Sequence, residues 1–328
     1  MGQKLFYILI DVQQTRSAGG DPSKLFQLPD LWEGKNIHEV AEAVHADYPG
    51  ALQVELIQWL WQEGAQLDYD VVPFRSSLDF VGLVIRLADL NTWAIGAVAP
   101  TNFQLKWHVG RPRPEEEAYK IAEGELTADD GVPQDIISKI DSMDLESATA
   151  FTAYNEGSPT HPSWPAMHSA ASPASFWLAV VLDLNEDQYC EALHVDYAVS
   201  YARTVAGVHY PTDNIAGLNL GQQIMAEQLA DHFERKYGSN RDEVQAKIDG
   251  LRFDWTNFNP ETCSTGGGAV LRNGIDIAPE SANSEPVRES QSRIVEWDRR
   301  TKKVRRETKH QQTLFSREQQ HQSNTTVQ

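Results

Sequence analysis

Apolar positions recur at helical spacing along most of the chain. Ile37, Val40 and Val44 stand three and four residues apart, and after Pro49-Gly50 the pattern resumes with Leu52, Leu56, Trp59 and Leu60, which predicts two amphipathic helices. Ser76 followed by Asp79 has the form of a capping box, and Leu78, Val81, Ile85 and Ala88 define one apolar face of a third helix. Pro133 suits the first turn of another, with Ile136, Ile137 and Ile140 inside it. From Ala170 to Leu184 the chain is rich in alanine and larger apolar residues, interrupted by Pro173, and reads as a buried, kinked helix. Ala192, Val195, Val199, Ala202 and Ala206 form a narrow stripe of small residues that lets helices approach closely, and Gly217 with Gly221 suggests the same in the next segment. No internal repeat stands out, and no alternation of strand and helix marks a parallel sheet. The predicted fold class is all-α, a helical bundle.

Around these helices the pattern weakens. Residues 1–35 mix Gly, Pro and Asp and read as an irregular lead-in, 36–260 as the helical domain, and 261–328 as a polar tail expected to be disordered, with a break at Gly266-Gly267-Gly268. The net charge is -19 over 328 residues, and it is uneven: residues 281–328 hold ten Lys+Arg against six Asp+Glu, so residues 1–280 carry 18 against 41, or -23. So acidic a body repels nucleic acid and anionic membrane surfaces, and neither is an expected partner. An anionic ligand therefore needs a local cluster of positive charge.

The apolar run Leu5 to Ile10 meets Asp11 and lacks a small-residue cleavage pattern, so no signal peptide is expected; nor is there an uncharged apolar run of about 20 residues that would span a bilayer. The chain reads as soluble, with its compartment open. Cys190 and Cys263 are too few for a disulfide framework or a Cys-rich zinc site, and one bridge between them stays open.

Three segments concentrate chemistry. Lys106-Trp-His-Val-Gly-Arg-Pro-Arg-Pro114 gathers Lys106, Arg111 and Arg113 in an acidic protein; alone, it reads equally as a solvated basic loop. Pro165-Ala-Met-His168 enters the alanine-rich helix, and a lone His168 there is more often a satisfied core or capping histidine. In Arg203-Thr-Val-Ala-Gly-Val-His209-Tyr-Pro-Thr-Asp213, Arg203 closes one helix, Gly207 and Pro211 turn the chain, and Asp213 opens the next helix, where it could serve only as a cap.

Together, in this order, the segments resemble the signature shared by vanadium-dependent haloperoxidases and the type 2 phosphatidic acid phosphatase superfamily: Lys, six residues, Arg-Pro; then Pro-Ser-Gly-His; then Arg, five residues, His, three residues, Asp. Lys106 and Arg113-Pro114, Pro165 and His168, and Arg203, His209 and Asp213 stand at the matching positions, and the resemblance covers Lys106 to about Gly217. The run His161-Pro-Ser-Trp-Pro165 is similar to the His-Pro-Ser-Tyr-Pro run of algal bromoperoxidases, which places His161 as an additional candidate and favours the bromide-oxidising type.

The resemblance implies a site for vanadate. Lys106, Arg113 and Arg203 would neutralise its oxygens by charge-assisted hydrogen bonds, the positions of Ala166 and Met167 would border it, and His209 would be the metal ligand, with Asp213 orienting its other ring nitrogen. His168 would assist proton transfer as hydrogen peroxide is taken up. The implied reactants are hydrogen peroxide, halide and a small organic substrate, and helical faces allow a homo-oligomer. The alternative is a soluble acid phosphatase in which His209 attacks phosphorus and His168 protonates the leaving alcohol. Ala166-Met167 departs from Ser-Gly: one hydroxyl donor is lost, and a side chain replaces a glycine, at a cost if the local φ is positive. This departure supports a third alternative, a degenerate homologue without catalysis.

Overall fold

A computed structural model describes residues 49–68, 71, 80–154 and 156–266. The lead-in, the helix expected at Ile37 to Val44, the Ser76–Asp79 cap and nearly all of the polar tail lie outside these residues.

The described chain is all-α, as its periodicity predicts. Helix α1 (Pro49–Gln62) follows Pro49-Gly50 and buries Leu56, Ile57 and Leu60. Helix α2 (Phe80–Val109) is long and buries Leu87, Leu90, Asn91, Ala94, Val98, Asn102 and Lys106, a stripe advancing three or four residues at a time. Ile85 is not on it: at 63% exposure it faces outward. Ile85 and Leu87 are two residues apart, about 200° around a helix, so choosing the face by Ile85 selected the wrong side.

Helix α3 (Pro114–Ala122) starts with Pro114 in its first turn, and α4 (Gln134–Asp141) buries Ile136 and Ile140. Pro133 is the flanking residue of α4 rather than part of its first turn, because its ψ of 138° is extended. Ala118, Ile121, Val132, Ile136, Ile140, Phe151 and Tyr210 form a side core between these two helices and the segments that carry Phe151 and Tyr210.

The kink expected at Pro173 is a full break. Helix α5 (Met167–Ala171) ends before Ser172-Pro173, and α6 (Ala174–Val181) starts after it, since proline cannot donate to the helical ladder. Two backbone N–H groups at the start of α6, those of Ala174 and Ser175, donate to the Asp196 carboxylate at 2.9 and 3.0 Å. Burial pushes that carboxyl up to about 8, against the pull of those hydrogen bonds. Instead of continuing to Leu184 as a helix, residues Leu182–Asp183 form a short strand, β2, antiparallel to β1 (Gln66–Leu67), with Gln66 opposite Asp183.

Helix α7 (Glu186–Val205) begins at an Asn185–Gln188 capping box, and its small-residue stripe from Ala192 to Ala206 is fully buried. Helix α8 (Pro211–Tyr237) packs most closely on α5: a Cβ on Gly217 would lie 2.5 Å from the Ala166 carbonyl oxygen, and one on Gly221 would overlap the Ala170 carbonyl. Helix α9 (Arg241–Leu251) follows, capped by Asn240. A disulfide joins Cys190 on α7 to Cys263, and His194 Nε2 lies 2.7 Å from the Pro260 carbonyl oxygen beside it. Among the described residues no helix is long and apolar enough to cross a membrane.

The glycine contacts give a paired prediction. Gly221→Ala drives a methyl into backbone and destabilises the protein by about 3 kcal/mol, at the upper end of overpacking costs. Gly96→Ala, on exposed α2 surface with nothing within 4 Å, stabilises it by up to about 1 kcal/mol through helix propensity. Denaturant unfolding of both variants checks the opposite signs.

Candidate active site

Each part of the site is delivered by a helix end. The buried stripe of α2 brings Lys106 into the interior in its last turn, and Gly110, at φ +64°, then reverses the chain into Arg111 and Arg113. Arg113 is the residue flanking α3, where Glu116 Oε2 accepts from its backbone N–H at 3.0 Å. Arg203 comes from the last turn of α7. Gly207 (φ +77°), packed under the Phe151 carbonyl, turns the chain so that His209 and Tyr210 precede α8. Asp213 lies in the first turn of α8 and accepts from the Tyr210 N–H at 3.1 Å, so it does act as a helix-start acceptor, but not only as one.

Lys106, Arg113 and Arg203 are 0%, 3% and 1% exposed. Lys106 Nζ donates to the Pro162 and Ser163 carbonyls, both at 2.9 Å. Arg113 donates to the His161 carbonyl (3.0 Å), the Val208 carbonyl (2.8 Å) and His209 Nε2 (3.0 Å), and its Nη2 lies 3.1 Å from His161 Nδ1, which also lies 3.2 Å from the Pro162 carbonyl oxygen. Arg203 Nη1 donates to the Tyr154 hydroxyl at 2.9 Å, while its Nε is buried without a hydrogen-bond partner. Among the described residues no carboxylate stands within ion-pair distance of these three cations; of the two buried carboxylates whose charge is felt at Arg113, Asp213 is paired with Arg111 at 2.6 Å and Glu115 accepts from the Ser158 N–H at 3.0 Å. Three buried positive charges therefore balance mainly against neutral oxygens.

The acid–base consequences follow from burial and like charge. Desolvation, with Arg113 next, pushes Lys106 down to about 7, and desolvation followed by the Arg203 charge lowers Arg113 to about 10. His209 is held well below the ordinary histidine range by burial and by Arg113, Lys106, Arg203 and His168 in turn, so its ring is neutral. A guanidinium can only donate, so His209 Nε2 carries the lone pair and Nδ1 the proton, which points to Asp213 Oδ2 at 3.2 Å. Burial raises the Asp213 carboxyl despite the Arg111 charge.

The structure thus brings Lys106, Arg113, Arg203, His209 and Asp213 into one cluster. His168 sits half-buried on α5, and its charge is felt at His209. His161 also joins the cluster, through Arg113; its ring meets Phe103 edge-on at 5.2 Å, and burial lowers its pKa to about 4, so it is neutral over the ordinary pH range.

Ala166 is buried, and its N–H is already used by the Asp213 carbonyl at 3.0 Å. Met167 is the first residue of α5 and is not among the described residues of positive φ, which removes the strain expected from replacing a glycine there. Residues not singled out from sequence also take part. Tyr154 anchors Arg203, and Glu117 accepts from the buried Tyr210 hydroxyl at 2.7 Å. Arg111, seen only as part of a basic run, pairs with Asp213.

Other clusters are of a different kind. Cys190, His194 and Cys263 bring three ligand-type atoms within 4.8 Å of one another, but the two sulfurs are bonded to each other. A surface cavity of about 370 Å³ lined by Leu126, Gln134 and Asp141 includes none of the cluster residues.

Residues 87–226 match the family model described as the PAP2 superfamily, which spans every residue of the cluster. The match supports that superfamily, whose members include phosphatases and haloperoxidases, without separating the two. No curated protein shows a significant match to the chain.

Because Lys106 titrates near 7 when folded and near 10.5 when unfolded, the unfolded chain holds the extra proton between those values. Its contribution to stability therefore rises with pH across that window. The protonated form is also the one whose charge suits an anion. Sulfate, whose charge is constant here, is expected to raise the melting temperature more at about pH 6 than at about pH 8.5, and Lys106→Met to flatten that dependence.

Proposed function

We propose that the chain is a vanadate-dependent haloperoxidase that oxidises halide, bromide first, with hydrogen peroxide and so halogenates small organic substrates. The observation that carries this reading is the set of three buried cations without carboxylate partners, grouped with a neutral histidine whose Nε2 lone pair faces them. Buried charge of that kind costs on the order of several kcal/mol unless an opposite charge arrives, and a tetrahedral oxyanion supplies it.

The donor set fits vanadate. Lys106, Arg113 and Arg203 would hold its oxygens, the orphaned Arg203 Nε gaining the partner it lacks, and His209 Nε2 would bind its central atom. For this, Arg113 Nη1 turns from Nε2 to the anion. Bound vanadate supplies Lewis acidity that polarises peroxide toward attack by halide. Asp213 keeps the proton on His209 Nδ1, which leaves Nε2 free for the anion. His168 would move a proton at the bound group, and neutral His161 would steady the Arg113 guanidinium that it stands against. Ala166 offers no hydroxyl, so the three cations carry the anion's affinity.

A second reading, an acid phosphatase, is favoured by the same Asp213-oriented imidazole, which is also a nucleophile. There His209 Nε2 bonds to phosphorus, the P–O bond to the alcohol breaks, and His168 gives the departing oxygen its proton.

Purified protein incubated with orthovanadate is expected to brominate a phenol dye in the presence of peroxide and bromide. Without vanadate it is expected to leave nitrophenyl phosphate intact. Hydrolysis without halogenation replaces the first reading with the second, and absence of both removes catalysis. His209→Ala is expected to lower vanadate-supported bromination at least a hundredfold; full activity in that variant would reject the ligand assignment.

A further inference from the structure

We propose that Arg111 is a positioning residue for His209, fixing the Asp213 carboxylate so that Oδ2 takes the Nδ1–H and the Nε2 lone pair stays aimed at the anion. This rests on the oxyanion reading of the site.

The carboxylate of Asp213 is fully buried and divides its two oxygens between different tasks. Oδ2 accepts from the Tyr210 N–H at 3.1 Å and faces His209 Nδ1 at 3.2 Å, whereas Oδ1 lies 2.6 Å from Arg111 Nη1. A short, charge-assisted bond to one oxygen sets the rotation of the whole carboxylate, and hence the direction of the other oxygen. Arg111 is itself constrained. Its Nη1 also donates to Thr212 Oγ1 at 2.9 Å, its guanidinium carbon stands 4.1 Å over the Tyr210 ring, and the Tyr210 hydroxyl is tied to Glu117 on α3 at 2.7 Å. The ring thus serves as a flat seat for a planar cation, a geometry an ammonium group does not reproduce. Unlike Lys106, Arg113 and Arg203, Arg111 spends its charge on a carboxylate and is not spare for the anion.

The test uses the full chain with ¹⁵N-labelled histidine. The His209 Nδ1–H proton resonance, assigned by its loss in His209→Gln, is expected to move upfield in Arg111→Gln as the bond to Asp213 weakens. Calorimetric affinity for inorganic vanadate is expected to fall about tenfold. Arg111→Lys is expected to lie between the two on both measures. A folded Arg111→Gln protein with the wild-type resonance and wild-type affinity overturns the proposal. Should Arg111→Gln fail to fold, Arg111→Lys decides in its place, an intermediate resonance supporting the role and an unmoved one overturning it. Neither readout needs turnover, so a protein inactive in both assays would defeat the functional reading while the resonance still decides the role of Arg111.

Discussion

Positive charge buried without a matching negative charge is the constraint around which the described structure is organised. Lys106, Arg113 and Arg203 come from three separate helix ends, and each is steadied by neutral oxygen: carbonyls of residues 161–163 and 208, and the Tyr154 hydroxyl. Dipoles soften the cost of burying a charge but do not cancel it. The carbonyls of His161, Pro162 and Ser163 are accordingly turned onto the Lys106 and Arg113 side chains, and among the described residues no carboxylate comes within ion-pair distance of the three cations. In the proposed reading the residual imbalance is what would select an anion, and the close seating of α5 against Gly217 and Gly221 of α8 would keep the cradle from relaxing around it.

Much of this is legible in the amino-acid sequence. Residue spacing carried the cluster because its members sit at fixed offsets within rigid pieces: Arg203, His209 and Asp213 straddle a single glycine–proline turn, and Lys106 and Arg113 flank the end of α2. The helices with strong periodicity and the small-residue stripe of α7 were equally readable. What escaped was set by tertiary context. Ile85 is as apolar as the core residues, and only the packing of α2 shows that Leu87 faces inward instead. The strand at Leu182–Asp183 exists because Gln66–Leu67 lies beside it, which no local pattern announces. Tyr154 and Arg111 sit in loops without periodicity, and their partners lie 49 and 102 residues away.

The departure at Ala166-Met167 changes meaning once the backbone is in view. Met167 occupies an ordinary helical position, so the missing glycine brings no strain, and the Ala166 N–H is committed to the Asp213 carbonyl. The loss is confined to one hydroxyl. A site with fewer neutral donors leans harder on its charged ones, which agrees with three cations buried so completely.

The Cys190–Cys263 bond has a topological consequence. It closes a ring spanning 73 residues of sequence separation, inside which lie Arg203, His209 and Asp213, while Lys106 and Arg113 lie outside. Closing a loop of that size removes about 4 kcal/mol of chain entropy from the unfolded ensemble. The histidine half of the cluster is thus confined covalently even when the chain is open, whereas among the described residues the α2 half is docked onto that ring by packing, hydrogen bonds and the Arg111–Asp213 ion pair.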